Sequence, residues 1–189
     1  MEVGWRHDLH RPGHARVLTE IDKLFTPRMN AERLRPEHED ELLALLGDPR
    51  VGATLGGPED RAEVRAGLAR HAAHWDREGF GYWLFRDRAT GEVAGRGGLE
   101  RKPVAGREEV EVGWAVVPER WGQGLATEMG HLAVRVAFDH LGLDEVVAFT
   151  LKTNAASERV MQKLGFGYEG DIEYAGLPHA LYRLRAPRE

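Results

Sequence analysis

The chain has 189 residues, a net charge of −5, 42% hydrophobic residues, 30% charged residues and no cysteine. That length suits one domain with a sizeable core, and the composition is that of an ordinary soluble globular protein. The acidic balance excludes a nucleic acid held by bulk electrostatics. The missing cysteine excludes disulfides, thiolate zinc sites and a cysteine nucleophile. No apolar run is long enough to span a bilayer, and Met1–Asp8 lacks the apolar centre of a secretion signal, so the expected location is the cytoplasm with no membrane partner.

Residues 1–25 read as an N-terminal extension to a domain spanning 26–189. The extension carries His7, His10 and His14, but Pro12-Gly13 breaks the helix that would align them, and no metal is expected. Val17–Phe25 is read as a short helix and Thr26–Arg35 as the first strand, at a sheet edge. Pro36-Glu37 opens a helix through Leu46 that Gly47 caps, and Gly56-Gly57-Pro58 is a turn. The next helix runs to about Arg77 with Val64, Leu68 and His71 or Ala72 on one face. His71 and His74 are spaced for a shared ligand, but no third ligand is near, so the commoner reading is histidines at a helix rim.

Phe80–Arg86 is aromatic-rich and reads as a strand, Thr90-Gly91-Glu92 as a hairpin turn, Val93–Glu100 as the returning strand and 101–107 as a loop. From Val110 the apolar residues Val112, Trp114 and Val116 alternate as in a strand, which Pro118 ends. Leu125, Met129, Leu132 and Val136 recur at helical spacing, giving a helix to about His140. Glu145–Leu151 is nearly all apolar, the pattern of a strand buried on both faces. Strand 110–117, helix 124–140 and strand 145–151 therefore form one βαβ unit, right-handed by default. Asn154 caps a helix over 155–164 that Gly165 ends, and strands over 166–174 and 179–185 close the sheet.

Gly122 and Gly124 stand where the helix begins. Its first turn leaves N–H groups without partners, the macrodipole adds positive charge, and residues without Cβ let a phosphate reach the backbone. The alternative is a glycine-rich helix entry with no ligand. A Walker loop needs Gly-Lys-Ser/Thr, which Gln123-Gly124-Leu125 does not supply. A dinucleotide fingerprint needs a glycine where Thr127 stands.

The run Trp121-Gly122-Gln123-Gly124-Leu125-Ala126-Thr127-Glu128 resembles the acyl-CoA loop of the GNAT acetyltransferase superfamily, with Trp121 where Gln or Arg is usual. Its Trp-Gly-x-Gly-x-Ala-Thr-Glu form looks like the ribosomal-protein N-acetyltransferase (RimJ/RimL-like) branch. A second signature, Asn154-Ala155-Ala156-Ser157 through Lys163-Leu164-Gly165-Phe166, matches that branch's helix. The resemblance covers roughly Thr26 to Arg185. It implies a GNAT fold of the α/β (α+β) class: one mixed, strongly twisted sheet of about six to seven strands, splayed between the fourth and fifth, with about four flanking helices.

The resemblance also implies the site. Acetyl-CoA is the expected co-substrate, its diphosphate held by Trp121, Gly122, Gln123, Gly124, Leu125, Ala126 and Thr127. Its pantetheine arm is expected along the opened backbone of Trp114, Ala115, Val116 and Val117 and against Asn154. Glu111 is the candidate base, with Glu109 as backup, against the plainer reading of a solvent-facing carboxylate or a salt bridge. Ser157 is the candidate group beside the coenzyme sulfur, with Tyr168 and Tyr182 as the available tyrosines. The helix before residue 78 walls the acceptor site in the family. That makes His71, His74 and Trp75 candidate neighbours of the acceptor, together with Tyr82 and His179. The expected reaction moves acetyl to a primary amine, a small molecule or a peptide, by direct attack in a ternary complex. The acceptor could be a protein N-terminus, an amino acid, a polyamine or an aminoglycoside. The competing function is an acyl-CoA-binding sensor without turnover. A second copy of the chain is the expected partner in a homodimer.

Overall fold

The computed structural model describes residues 21–187, so His7, His10 and His14 lie outside the described residues. The sheet begins earlier than the sequence suggests. Lys23–Phe25 is strand β1, not the end of a helix, and it turns back onto β2 (Met29–Arg33) with Leu24 opposite Ala31. A helix cannot run on here because Pro27 disfavours helical backbone at Thr26. Instead the Thr26 N–H closes a turn onto Met29 O at 2.8 Å. β1 is the edge, and β2, expected there, is covered on both sides.

A single 3-10 turn leads into α1 (Glu39–Leu46), and the chain then forms a helix that periodicity does not reveal, α2 (Pro49–Leu55). Its signals are local: the Asp48 side chain accepts from Arg50 N–H, and Pro49 sits in the first turn. Gly52 lets the chain fold back, since a Cβ there would stand 2.3 Å from Pro58 N. α3 (Arg61–Glu78) starts at a capping box between Asp60 and Glu63 and stops at Gly79, φ 79°.

β3 (Tyr82–Asp87) and β4 (Val93–Val104) follow. The expected loop over 101–107 is mostly strand: β4 runs on to Val104 and turns at Ala105-Gly106 into β5 (Arg107–Val116). Then come α4 (Leu125–Arg135), extended by a π-helical turn to His140, β6 (Glu145–Leu151), α5 (Ala155–Lys163), β7 (Gly167–Tyr174) and β8 (Leu177–Arg185).

Among the described residues the eight strands make one sheet in the order β1-β2-β3-β4-β5-β6-β8-β7. The early β1 makes the count eight rather than six or seven and moves the splay to the fifth and sixth strands. β5 pairs with β4 along its whole length, from Val104↔Arg107 to Gly95↔Val116. Against β6, its one parallel neighbour, it is in register only at Glu111↔Val147. Beyond that pair the two strands part toward their C-terminal ends, where α4 and α5 begin. Val110, Val112 and Val116 pack with Leu125, Met129 and Leu132 of α4 in one core cluster. Ala115, Tyr82 and Leu84 pack with Leu42, Val51 and Leu68 of α1–α3 in another. No helix among the described residues is long and apolar enough to cross a membrane.

Candidate active site

One cavity of about 710 Å³ occupies the splay, and it joins most of the residues that the sequence singles out. Trp114, Ala115 and Val116 line it from β5, and Trp121, Gly122, Gly124, Leu125, Ala126 and Thr127 from the glycine turn and the start of α4. Asn154 and Ser157 line it from α5. The Asn154 side chain caps that helix by accepting from Ser157 N–H at 3.1 Å, and the Ser157 hydroxyl has no protein partner of its own among the described residues.

Two residues expected to hold the coenzyme are not on the lining. The Val117 N–H is spent on Ala94 O at 3.0 Å, so the sheet uses it. Gln123 faces away: its carbonyl accepts from Arg28 at 2.9 Å and its side-chain oxygen from Arg120 at 3.0 Å.

The amides between these points are open. Trp121 N–H donates to Pro118 O at 3.2 Å, and Glu128 N–H is the first of α4 to bond back, to Gly124 O at 3.1 Å. The N–H groups of Gly122, Gln123, Gly124, Leu125, Ala126 and Thr127 have no protein acceptor among the described residues. Gly122 and Gly124 have φ of 75° and 80°, which L side chains rarely adopt, and a Cβ on Gly122 would meet nothing within 4 Å. The result is a run of donors at the positive end of a helix, beside open space.

Trp121, the departure from the family pattern, has a task of its own. Its indole N–H donates to Val116 O at 2.7 Å, satisfying a carbonyl on the parted edge of β5.

The opposite wall is charged. Counting along β4 and β5, Arg96, Glu100 and Lys102 share a face with Glu109, Glu111 and Ala115. Glu111 is buried there and ion-paired with Lys102, which also reaches Glu100 at 3.1 Å. It is therefore neither solvent-facing nor a free carboxylate. Burial pulls the Lys102 ammonium down, but Glu111, Tyr82 and Glu100 outweigh it and keep Lys102 a cation. Burial pushes Glu100 up, and Lys102 and His71 reverse this to hold it below the usual carboxylate range. Glu109 is not on the cavity lining; it belongs to an ion cluster around Arg183, which removes it as backup base.

Tyr82 and His71 line the same wall. The Tyr82 hydroxyl fills the place of a side chain at Gly113, where a Cβ would come within 2.0 Å of it. Burial, then the Glu111 charge, push the Tyr82 phenol up, so it stays neutral. His71 stacks 4.6 Å from the Tyr82 ring, and burial, then Arg96, pull it down to about 3. His179 also lines the cavity, but from β8, an interior strand, with Nδ1 2.9 Å from Leu177 O and its ring edge-on to Phe149 at 5.5 Å.

Other expectations fail. Trp75 is core, 2% exposed, donating to Tyr82 O at 2.9 Å and edge-on to Trp83. His74 lies behind the wall, buried between Phe80 O and Arg101 N. Tyr168 is exposed and Tyr182 is in the core, and neither lines the cavity. The tyrosine that does is Tyr174, packed 4.6 Å from Phe149. Arg96, Glu100, Lys102 and Tyr174 were missed by the sequence reading, Lys102 because it lies beyond the strand read as ending at Glu100. No cluster of metal-ligating side chains occurs among the described residues.

The family model described as an acetyltransferase (GNAT) domain matches residues 28–167. FsC-acetyl coenzyme A-N(2)-transacetylase of Aspergillus fumigatus is 35% identical, covering 87% of this chain and 80% of its own. YoaA of Bacillus subtilis, named as an uncharacterized N-acetyltransferase, is 33% identical over 88% of this chain and 98% of its own. Among solved structures, a GNAT-family protein from Bordetella pertussis superposes with a TM-score of 0.76 at 25% identity, covering 87% of this chain and 99% of that one. The splayed sheet, the open amides and these likenesses agree: the chain belongs to the GNAT acetyltransferase family.

Proposed function

We propose that the chain transfers an acetyl group from acetyl-CoA to a primary amine by direct attack in a ternary complex. The observation that carries the proposal is the set of unpartnered amides on Gly122, Gly124, Leu125, Ala126 and Thr127, residues that line the same cavity as a charged wall. Those amides suit a diphosphate, and the parted edge of β5 at Trp114 and Val116 suits an extended amide-bearing arm. Acetyl-CoA supplies an acetyl group on a thioester whose thiol can leave. The residues of the chain must hold the amine, deprotonate it and keep water out.

An ammonium entering from the charged wall gives up a proton before its lone pair can attack. Glu111 accepts it through water in this reading, while Lys102 holds the carboxylate in place. The new N–C bond forms as the C–S bond breaks. The nitrogen loses a second proton, the departing sulfur gains one, and one proton is released overall. In this reading the Ser157 hydroxyl, on the cavity lining, hydrogen-bonds that sulfur.

The ribosomal-protein branch remains a proposal resting on the Trp121–Glu128 pattern. The name of the Aspergillus relative, an N(2)-transacetylase, favours a small-molecule amine over a protein N-terminus. Calorimetry with acetyl-CoA, followed by thiol release across amines, tests the function. We expect binding by the wild type, and a loss of about tenfold or more in kcat for Glu111→Gln with the acetyl-CoA affinity kept. Binding without turnover on any amine would favour a sensor; no binding would remove the transferase reading.

A further inference from the structure

Arg96 is a cation on the lining of this cavity with no ion pair among the described residues. It lines the wall from β4, opposite Ala115, half-buried. Its guanidinium carbon sits 5.0 Å from the centre of the Tyr82 ring, and Tyr82 is in turn stacked on His71. Its Nε is buried and has no hydrogen-bond partner among the described residues. The other half-buried cation facing Glu111, Lys102, is ion-paired with two carboxylates. A planar guanidinium held by a ring face, with a donor unmet, is arranged for a planar anion. Arg70, exposed on α3, lines the same wall without an ion pair among the described residues, adding a second positive charge.

Further along the wall lie the acidic groups, Glu100 and Glu111, suited to the ammonium. Three strand residues lie between Arg96 and Glu100, so the two backbones are about 13 Å apart along β4. Leu42, Leu46, Val51 and Leu177 add an apolar lining.

We infer that the acceptor is an amine carrying a carboxylate and an apolar body, an amino acid or a close relative, with Arg96 as the residue that grips the carboxylate. This rests on the acetyl-transfer reading above. A polycation such as a polyamine or an aminoglycoside offers Arg96 nothing and is repelled by it.

The test measures thiol release with L-leucine, L-methionine and L-phenylalanine against their carboxamides. It is run on wild type, Arg96→Met and Arg96→Lys, with spermidine as a polycationic control. The wild type is expected to favour each acid over its carboxamide. Arg96→Met is expected to lower kcat/KM for the acids at least about tenfold more than for the carboxamides, with Arg96→Lys between. Equal loss on acids and carboxamides would make Arg96 a general catalytic donor, and a preference for carboxamides or spermidine would make the acceptor non-acidic; each overturns the inference. Calorimetry with CoA and N-acetyl-L-leucine, compared with N-acetyl-L-leucinamide, reads the grip without turnover. Equal binding of the two by wild type overturns it. A failure of acetyl-CoA itself to bind is the separate failure of the parent reading.

Discussion

His74 accepts from Arg101 N–H through Nε2 at 2.9 Å, so its Nδ1 must carry the proton that meets Phe80 O at 2.9 Å. A second proton would destroy the Arg101 bond, and burial, the largest effect, pulls this ring down. His71 is held neutral more strongly, down to about 3, by burial and then Arg96, with Glu100 facing it and opposing the shift. An unfolded chain protonates both rings as pH falls through about 6.5. The folded chain protonates each ring only at a lower pH, about 3 for His71, so there is a window below about 6.5, ending near 3 for His71, in which the unfolded state binds more protons. Stability is therefore fully present above that window and falls as pH falls, by up to about 1.4 kcal/mol per pH unit for each ring. Urea midpoints from pH 7 to pH 5 should drop, and His71→Phe should flatten the drop while leaving the His74 share. An unaltered slope in that variant would show that His71 is not held neutral.

The glycine turn owes its shape to an element far away in sequence. Arg28, in the turn between β1 and β2, donates through Nε to Glu128 at 2.6 Å and through a terminal nitrogen to Gln123 O at 2.9 Å, while its own N–H reaches Glu128 at 2.9 Å. A trans peptide points its carbonyl and the next N–H in opposite directions. Fixing Gln123 O toward Arg28 therefore turns the Gly124 N–H the other way, toward the cavity that Gly124 lines. Arg28 does not line the cavity and is in this sense a positioning residue. Losing about 1 kcal/mol of this pre-organisation corresponds to about a fivefold loss of affinity. Arg28→Met should weaken acetyl-CoA binding by that order in calorimetry, with kcat at saturation nearly kept. An unchanged dissociation constant would mean that the turn holds its shape alone.

At the scale of the molecule, legibility followed the range of the forces. β6 matched its expected span because an apolar run needs burial on both faces wherever it lies, and Asn154 announced its own helix. β1, three residues long, exists only through pairing with β2, which no local pattern encodes. The charged wall was hidden for the same reason: Lys102 and Glu111 meet through register, not spacing. Arg183 is the furthest case. From β8 it binds Glu109 of β5 at 2.9 Å, Glu145 of β6 at 2.8 Å, and Glu169 of β7. This cluster lies at the closed end of the splay, below Glu111↔Val147, and ties both parted halves of the sheet where they still meet. Its carboxylates keep Arg183 a cation, and Arg183 in turn holds Glu169 below the usual carboxylate range. Removing the cation leaves Glu109, which is 7% exposed, beside Glu145 and Glu169 with only the exposed Arg107, at 3.4 Å, to offset it. Arg183→Met should cost about 3 kcal/mol in urea unfolding, the low end for a buried pair because Glu145 and Glu169 keep water contact. Adding Glu109→Gln removes the stranded charge, so the double variant should regain part of that loss. Simple additivity of the two changes would show that Glu109 and Arg183 do not depend on each other, and the clamp below the cavity would have to be sought in the parallel pairing alone.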